Sequence, residues 1–191
     1  LERESPAAAA ASAEAEKAAA IARDQSGGRP ARSLGNADRL APSVAFVDAK
    51  GLLPMPVSGR ILRNYGDKDD LGGRSAGMSV AVRPGGLVSA PTDGWIVYSG
   101  PFRSYGQLLI INAGDGYHVL LAGMGRSDVQ LGQFVLAGEP VAVMAEQRLA
   151  SIGAVDMAAK QPVLYIEFRK DGTSIDPAPW WAASNVEKVG G

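Results

Sequence analysis

With 191 residues, 46% of them hydrophobic, the chain can bury one core plus some peripheral structure, and two large domains would be crowded. Lys and Arg number 19 against 20 Asp and Glu, leaving no global positive field to attract nucleic acid or an anionic membrane. Cysteine is absent, which removes disulfides, thiolate metal ligands and a cysteine nucleophile together. No stretch approaches the roughly 20 apolar residues of a membrane span, so direct membrane insertion is not expected. Nothing at the start reads as a secretory signal. The chain opens on Leu1 rather than Met, and the expectation is a processed form or fragment whose targeting segment lies outside it.

Residues 7–24 (AAAAASAEAEKAAAIARD) have high helix propensity, yet Ile21 is the only large aliphatic among them. The expectation over residues 1–24 is a helical tail, either a solvated helix that ends a longer one or a segment that docks on the domain. Residues 25–45 mix Gly, Pro, Ser and charge without apolar periodicity, as in a linker or arm. The folded body is expected from residue 46 to residue 183, with a flexible tail over 184–191.

Within that body short β-branched or aromatic runs alternate with turns. They predict strands at Gly59–Asn64, Ser79–Val82, Gly94–Ser99, Leu108–Asn112, Tyr117–Ala122, Phe134–Leu136, Pro140–Met144 and Val163–Arg169. Gln147–Lys160 alone reads as helix inside the body, weakened by Gly153. Asp93-Gly94, Gly114-Asp115-Gly116 and Asp171-Gly172 place glycine beside a residue tolerant of left-handed backbone, which favours strand reversal. Crossover helices between successive strands are missing, so the predicted class is mainly β: an antiparallel sandwich or open barrel. Asp67–Gly77 (DKDDLGGRSAG) lacks the phosphate-loop pattern and the spacing of an EF-hand, and reads as a surface loop.

Zinc hydrolases need about three protein ligands and an open position for water. His118 is the sole histidine, so a zinc site would have to recruit carboxylates around it. Its expected role is that of a half-exposed strand residue. Serine catalysis lacks a G-x-S-x-G elbow, and a carboxylate pair for glycoside hydrolysis would leave Glu167 without an identifiable partner. Period-two geometry puts Val163, Tyr165, Glu167 and Arg169 on one strand face and Leu164, Ile166 and Phe168 on the other. The second set reads as core. The first begins apolar, passes through a phenol and ends in a cation, a composition suited to partial burial against another protein.

Three ordered landmarks carry a family resemblance. Ser75-Ala76-Gly77-Met78-Ser79 precedes Val88-Ser89-Ala90-Pro91-Thr92-Asp93-Gly94-Trp95-Ile96-Val97. Ser104-Tyr105-Gly106 leads an apolar strand into Asn112-Ala113-Gly114-Asp115-Gly116-Tyr117, and the next strand reaches Leu121-Ala122-Gly123-Met124. Pro162-Val163-Leu164-Tyr165-Ile166-Glu167-Phe168-Arg169 comes before Gly172 and Ile175-Asp176-Pro177. Over roughly two-thirds of the chain this resembles the LytM domain, the zinc metallopeptidase fold of lysostaphin-type peptidoglycan endopeptidases. Within it the sequence is most similar to the degenerate domain of EnvC-type murein hydrolase activators. The resemblance implies that Ser75 and Ser79 stand at metal-ligand positions, Ala113 at a turn histidine, Gly123 at a catalytic histidine, and Val163 and Tyr165 at a catalytic and a metal-binding histidine. No metal and no cofactor are expected.

What the resemblance further implies is a groove emptied of metal chemistry that grips a partner through Tyr165 and Arg169, with Tyr105, Ser79, Leu121 and Met78 around them. The partner would be a periplasmic zinc N-acetylmuramoyl-L-alanine amidase held inactive by its own helix, which binding would displace during cell division. An upstream coiled coil, of which residues 7–24 would be the end, would link the process to a division transporter-like complex. Two other readings stay open: a domain that binds peptidoglycan without activating anything, and a residual endopeptidase.

Overall fold

Every other residue from Val163 to Lys170 has to face the same side; Leu164, Ile166 and Phe168 make one side apolar and Val163 and Tyr165 open the other, so a position in the interior of a sheet follows. The computed structural model, which describes residues 41–68, 72–102, 105–146 and 161–182, places it there. The strands are β1 (Gly59–Arg63), β2 (Met78–Val82), β3 (Leu87–Ser89), β4 (Gly94–Pro101), β5 (Gln107–Gly114), β6 (Tyr117–Ser127), β7 (Phe134–Val135), β8 (Pro140–Met144), β9 (Val163–Lys170) and β10 (Thr173–Ile175). They form one antiparallel 10-stranded sheet in the order β1-β2-β9-β6-β5-β4-β7. Off that path, β10 pairs with β9, and β8 pairs with both β3 and β6. The end strands β1 and β7 do not pair, so the sheet stays open.

The predicted strands are all present, within two residues at most of their ends, except that β6 runs on to Ser127. β3 and β10, three residues each, carry too little pattern to be read from the sequence. The β9–β10 reversal uses Asp171 at φ 49° and Gly172 at φ 82°, the double left-handed geometry of a two-residue hairpin turn. The expected helix over 147–160, the tail over 1–24, the arm as far as residue 40 and the C-terminal tail lie outside the described residues.

One apolar cluster fills the inner side of the sheet. Leu164, Ile166 and Phe168 of β9 meet Val119 and Leu121 of β6, Leu109 and Ile111 of β5, and Val80 of β2. Its end is closed by aromatic rings. Phe46, only 1% exposed, lies in a one-turn 3₁₀ segment (Phe46–Ala49) and stacks on Trp180 at 5.3 Å between centroids. It also meets Tyr117 at 4.8 Å and Phe168 at 5.4 Å, and the Trp180 indole donates to the Phe46 carbonyl at 2.8 Å.

This closure ties residues 134 positions apart, so it is long-range structure rather than local order. Phe46→Ala should cost about 3–5 kcal/mol of unfolding free energy in urea, the usual range for deleting a core aromatic ring. A loss below about 1 kcal/mol, the level of a surface substitution, would mean that the segment is dispensable to the fold.

Candidate functional site

The outer side of the same strands holds a second, smaller cluster. The continuous apolar runs Leu108–Ile111 and Val119–Ala122 put apolar side chains on both faces of β5 and β6. Their outward members Leu108, Ile110, Leu120 and Ala122 therefore gather with Phe102 and Tyr165. Val97, Tyr98 and Tyr105 pack at the margin, partly exposed. Tyr105 stacks on Phe102 with centroids 5.7 Å apart and planes at 24°.

Beside this cluster three alternate residues of β9 form a buried polar chain. The Tyr165 hydroxyl donates to Glu167 Oε2 at 3.0 Å, and Arg169 Nε donates to Glu167 Oε1 at 2.7 Å. Ser174 of β10, next to β9, adds its hydroxyl to Oε1 at 2.6 Å. Glu167 is 0% exposed, and Tyr165 and Arg169 are 4% each. A buried carboxylate on this scale survives only when its charge and lone pairs are met, and here both oxygens are. Burial and the adjacent Glu167 carboxylate push the Tyr165 phenol well above its usual range, so it stays a neutral donor.

The strand register brings most of the expected site residues together. Tyr165 lies opposite Ser79 of β2 and Ala122 of β6, Val163 opposite Ala81, and Arg169 opposite His118. The Ser75 hydroxyl donates to the Gly77 carbonyl at 2.6 Å, and Gly77 lies against the Tyr165 ring, where an added Cβ would come within 2.9 Å. Gly123 takes φ 109° and abuts the Val163 carbonyl.

Two expected groove residues are not on this side. Met78 (3% exposed) and Leu121 (0%) belong to the inner core, because they alternate with Ser79 and Leu120 and pair across strands with Ile166, itself a core residue. Ala113 is core as well. Tyr165 and Arg169 lie on the expected face but as a buried floor rather than an exposed grip, since β6 and β2 flank Tyr165 and the Glu167 carboxylate draws both side chains inward. Glu167 as the hub of a network, and the apolar set around Phe102, escaped the sequence reading. The double-sided apolar runs of β5 and β6 were a signal for the second.

These side chains do not make a zinc donor set. At the positions that the resemblance assigns to ligands and catalytic groups stand two hydroxyls, a phenol already bonded to a carboxylate, an aliphatic side chain and a glycine, whereas zinc takes imidazole, thiolate or carboxylate. Among the described residues no three His, Cys, Asp or Glu side chains are grouped to hold a metal ion. With both oxygens engaged and no exposure, Glu167 has no lone pair directed at solvent to serve as a general base.

Three comparisons bear on this arrangement. The model of Peptidase family M23 matches residues 73–177. The murein hydrolase activator EnvC of Escherichia coli (strain K12) is 30% identical over 125 residues, 65% of this chain and 28% of that protein. The cell division protein DipM of Caulobacter vibrioides is 29% identical over 141 residues, 72% of this chain and 22% of that protein. The chain thus spans under a third of either relative's length. Among solved structures, the antimicrobial peptidase lysostaphin from Staphylococcus simulans superposes with a TM-score of 0.55 at 20% identity, covering 73% of this chain and 57% of that one. That likeness is one of fold.

Two outcomes are expected. Gly123→His should not yield a metal-binding protein; it should lose about 2 kcal/mol or more of stability, because a side chain at φ 109° strains the backbone and strikes the Val163 carbonyl. Zinc content and a urea titration of the variant check this. For Tyr165, a folded phenol pKa raised above the unfolded value of about 10 means its contribution is complete below about pH 10 and is lost as pH climbs toward the folded value. Tyr165→Phe, which takes a hydrogen bond from a buried carboxylate, should cost about 1.5–3 kcal/mol at neutral pH. The gap between the two proteins should close in alkaline titrations.

Proposed function

The chain belongs to peptidase family M23, and on that premise we propose that it is a non-catalytic activator of a cell-wall N-acetylmuramoyl-L-alanine amidase. The observation that carries the proposal is the Tyr165–Glu167–Arg169–Ser174 network, which closes on itself the strand face where a hydrolase would need open ligands. A face so neutralised can meet another protein without desolvating a free charge. The murein hydrolase activator among the relatives supports the same direction.

In this reading Tyr165 and Arg169 set the shape and rigidity of the floor, and contact with the partner falls to the partly exposed margin: Tyr105 with Val97 and Tyr98. Ser79 is 1% exposed and belongs to the floor as well. Binding favours the open amidase over its self-blocked form, so the activator contributes differential affinity and the amidase contributes zinc and hydrolysis. The setting is the periplasm of a Gram-negative bacterium during division, in line with the cell division protein among the relatives. A link to a division transporter-like complex would fall to a coiled coil upstream of the described residues.

The test is dye release from labelled peptidoglycan with this chain alone, amidase alone, and both together. Release from the mixture well above the sum of the separate reactions is expected. Release by the chain alone, with stoichiometric zinc, would establish an endopeptidase instead, and binding to purified wall but not to amidase would establish a scaffold. Tyr105→Ala should weaken amidase binding by roughly thirtyfold, the equivalent of about 2 kcal/mol for an aromatic hot spot, while leaving the circular dichroism spectrum unchanged. Tyr165→Ala is not a clean interface probe, because it removes a buried ring and a hydrogen bond to Glu167.

A further inference from the structure

A cleft of about 700 Å³ lies where the chain entering β1 passes the end of β2 and the start of β3. None of the residues of the Tyr165–Glu167–Arg169–Ser174 network and none of the outer apolar cluster lines it. Its volume falls within the range of sites that hold a ligand. Its walls carry two cations, Arg60 and Arg83, both exposed and, among the described residues, neither in an ion pair. No carboxylate lines it among the described residues. The Glu146 carboxylate lies over the neighbouring Gly85 turn, outside the lining. Leu87, a large aliphatic side chain 60% exposed, lines the same cleft.

The backbone around the cleft is equally particular. β1 has a strand partner on one side only, β2, and β3 likewise only β8, so two strand edges border the opening. Unpaired edges offer N–H and C=O groups to an added extended segment. The offer is short. A register shift between Ile61 and Arg63 interrupts β1, and the Ser89 N–H of β3 is already taken by the Pro56 carbonyl at 2.8 Å. Guanidinium groups pair with carboxylates in a planar, two-bond geometry that a lysine cannot reproduce. Backbone edge, apolar side chain and two guanidiniums in one cleft suit a polypeptide better than a bare anion, which would use neither Leu87 nor the edge.

We propose that this cleft is a second docking site, which takes a short, extended, carboxylate-bearing segment of a partner protein. Arg60 and Arg83 hold its acidic side chains, Leu87 packs under an apolar one, and the edge of β1 fixes the segment's direction.

The probe is an acetylated, amidated peptide of alternating Glu and Val carrying a fluorophore, titrated with the full chain and followed by anisotropy. The same peptide with Gln in place of Glu, and a polyphosphate chain, serve as comparisons. The Glu peptide should bind at least about tenfold more tightly than the Gln peptide, and Arg60→Ala with Arg83→Ala should remove that advantage. Leu87→Asp should weaken the Glu peptide and leave the far-ultraviolet spectrum and melting temperature at parent values. Equal binding of the Glu and Gln peptides, indifference to either set of substitutions, or polyphosphate competing as well as the Glu peptide would overturn the proposal, the last by showing a generic anion patch. No amidase is present in the titration, so a failure here leaves amidase activation as it stands.

Discussion

A carboxylate with no exposure sits in an interior strand of the sheet, and its charge has to be answered from inside the fold. Glu167 is bonded by Arg169, Tyr165 and Ser174, and each partner is placed by strand geometry. Tyr165 and Arg169 are two residues away on the same face of β9, and Ser174 comes from β10 through the tight Asp171-Gly172 turn. Shifting β10 by one residue would turn Ser174 away and expose the carboxylate to an apolar surrounding. Removing one member of such a group costs more than the group contributes over an apolar replacement, because a charge is left unmet. The network therefore works less as a source of net stability than as a fixer of register and of the shape of the outer face.

That shape is what the neighbouring strands inherit. With its hydroxyl bonded to Glu167, the Tyr165 ring lies against Gly77, opposite Ser79 on β2, and joins the second apolar cluster. The margin of that cluster, where Tyr105 leans on Phe102, is left as the part of the face that solvent and a partner can reach. A rigid floor with a softer aromatic rim suits recognition, since little order has to be gained on binding.

Most of the fold was legible because strands announce themselves by period and by the turns between them. β9 is the clearest case: Leu164, Ile166 and Phe168 entered the core as the alternation required. Met78 and Leu121 went astray by the same rule applied too loosely. Each stands one residue from a true member of the outer face, and a one-residue offset on a strand means the opposite side. The extent of burial was not legible. A pattern shows which side chains share a face and says nothing of what covers it, so Tyr165 and Arg169 read as accessible when they are a floor. Glu167 escaped for a related reason. A lone acidic residue in an apolar strand looks like an edge feature until the serine that completes its coordination is brought beside it by a three-residue strand too short to predict.

The separation of the two faces explains how a chain can keep this architecture while its outer face carries a set of groups unlike those of a metal site. Backbone pairing between β2, β9 and β6 depends on main-chain atoms, and the inner face of β9 supplies the apolar contacts that hold the sheet to its core. Side chains on the outer face enter neither. They must only satisfy their own polar atoms and fill their own space, and Tyr165, Arg169 and Ser174 do this for the buried Glu167 carboxylate. Gly123 marks the limit of that freedom, because there the backbone itself has taken a conformation that suits glycine and crowds the Val163 carbonyl. At that position any larger side chain would need the strand to move.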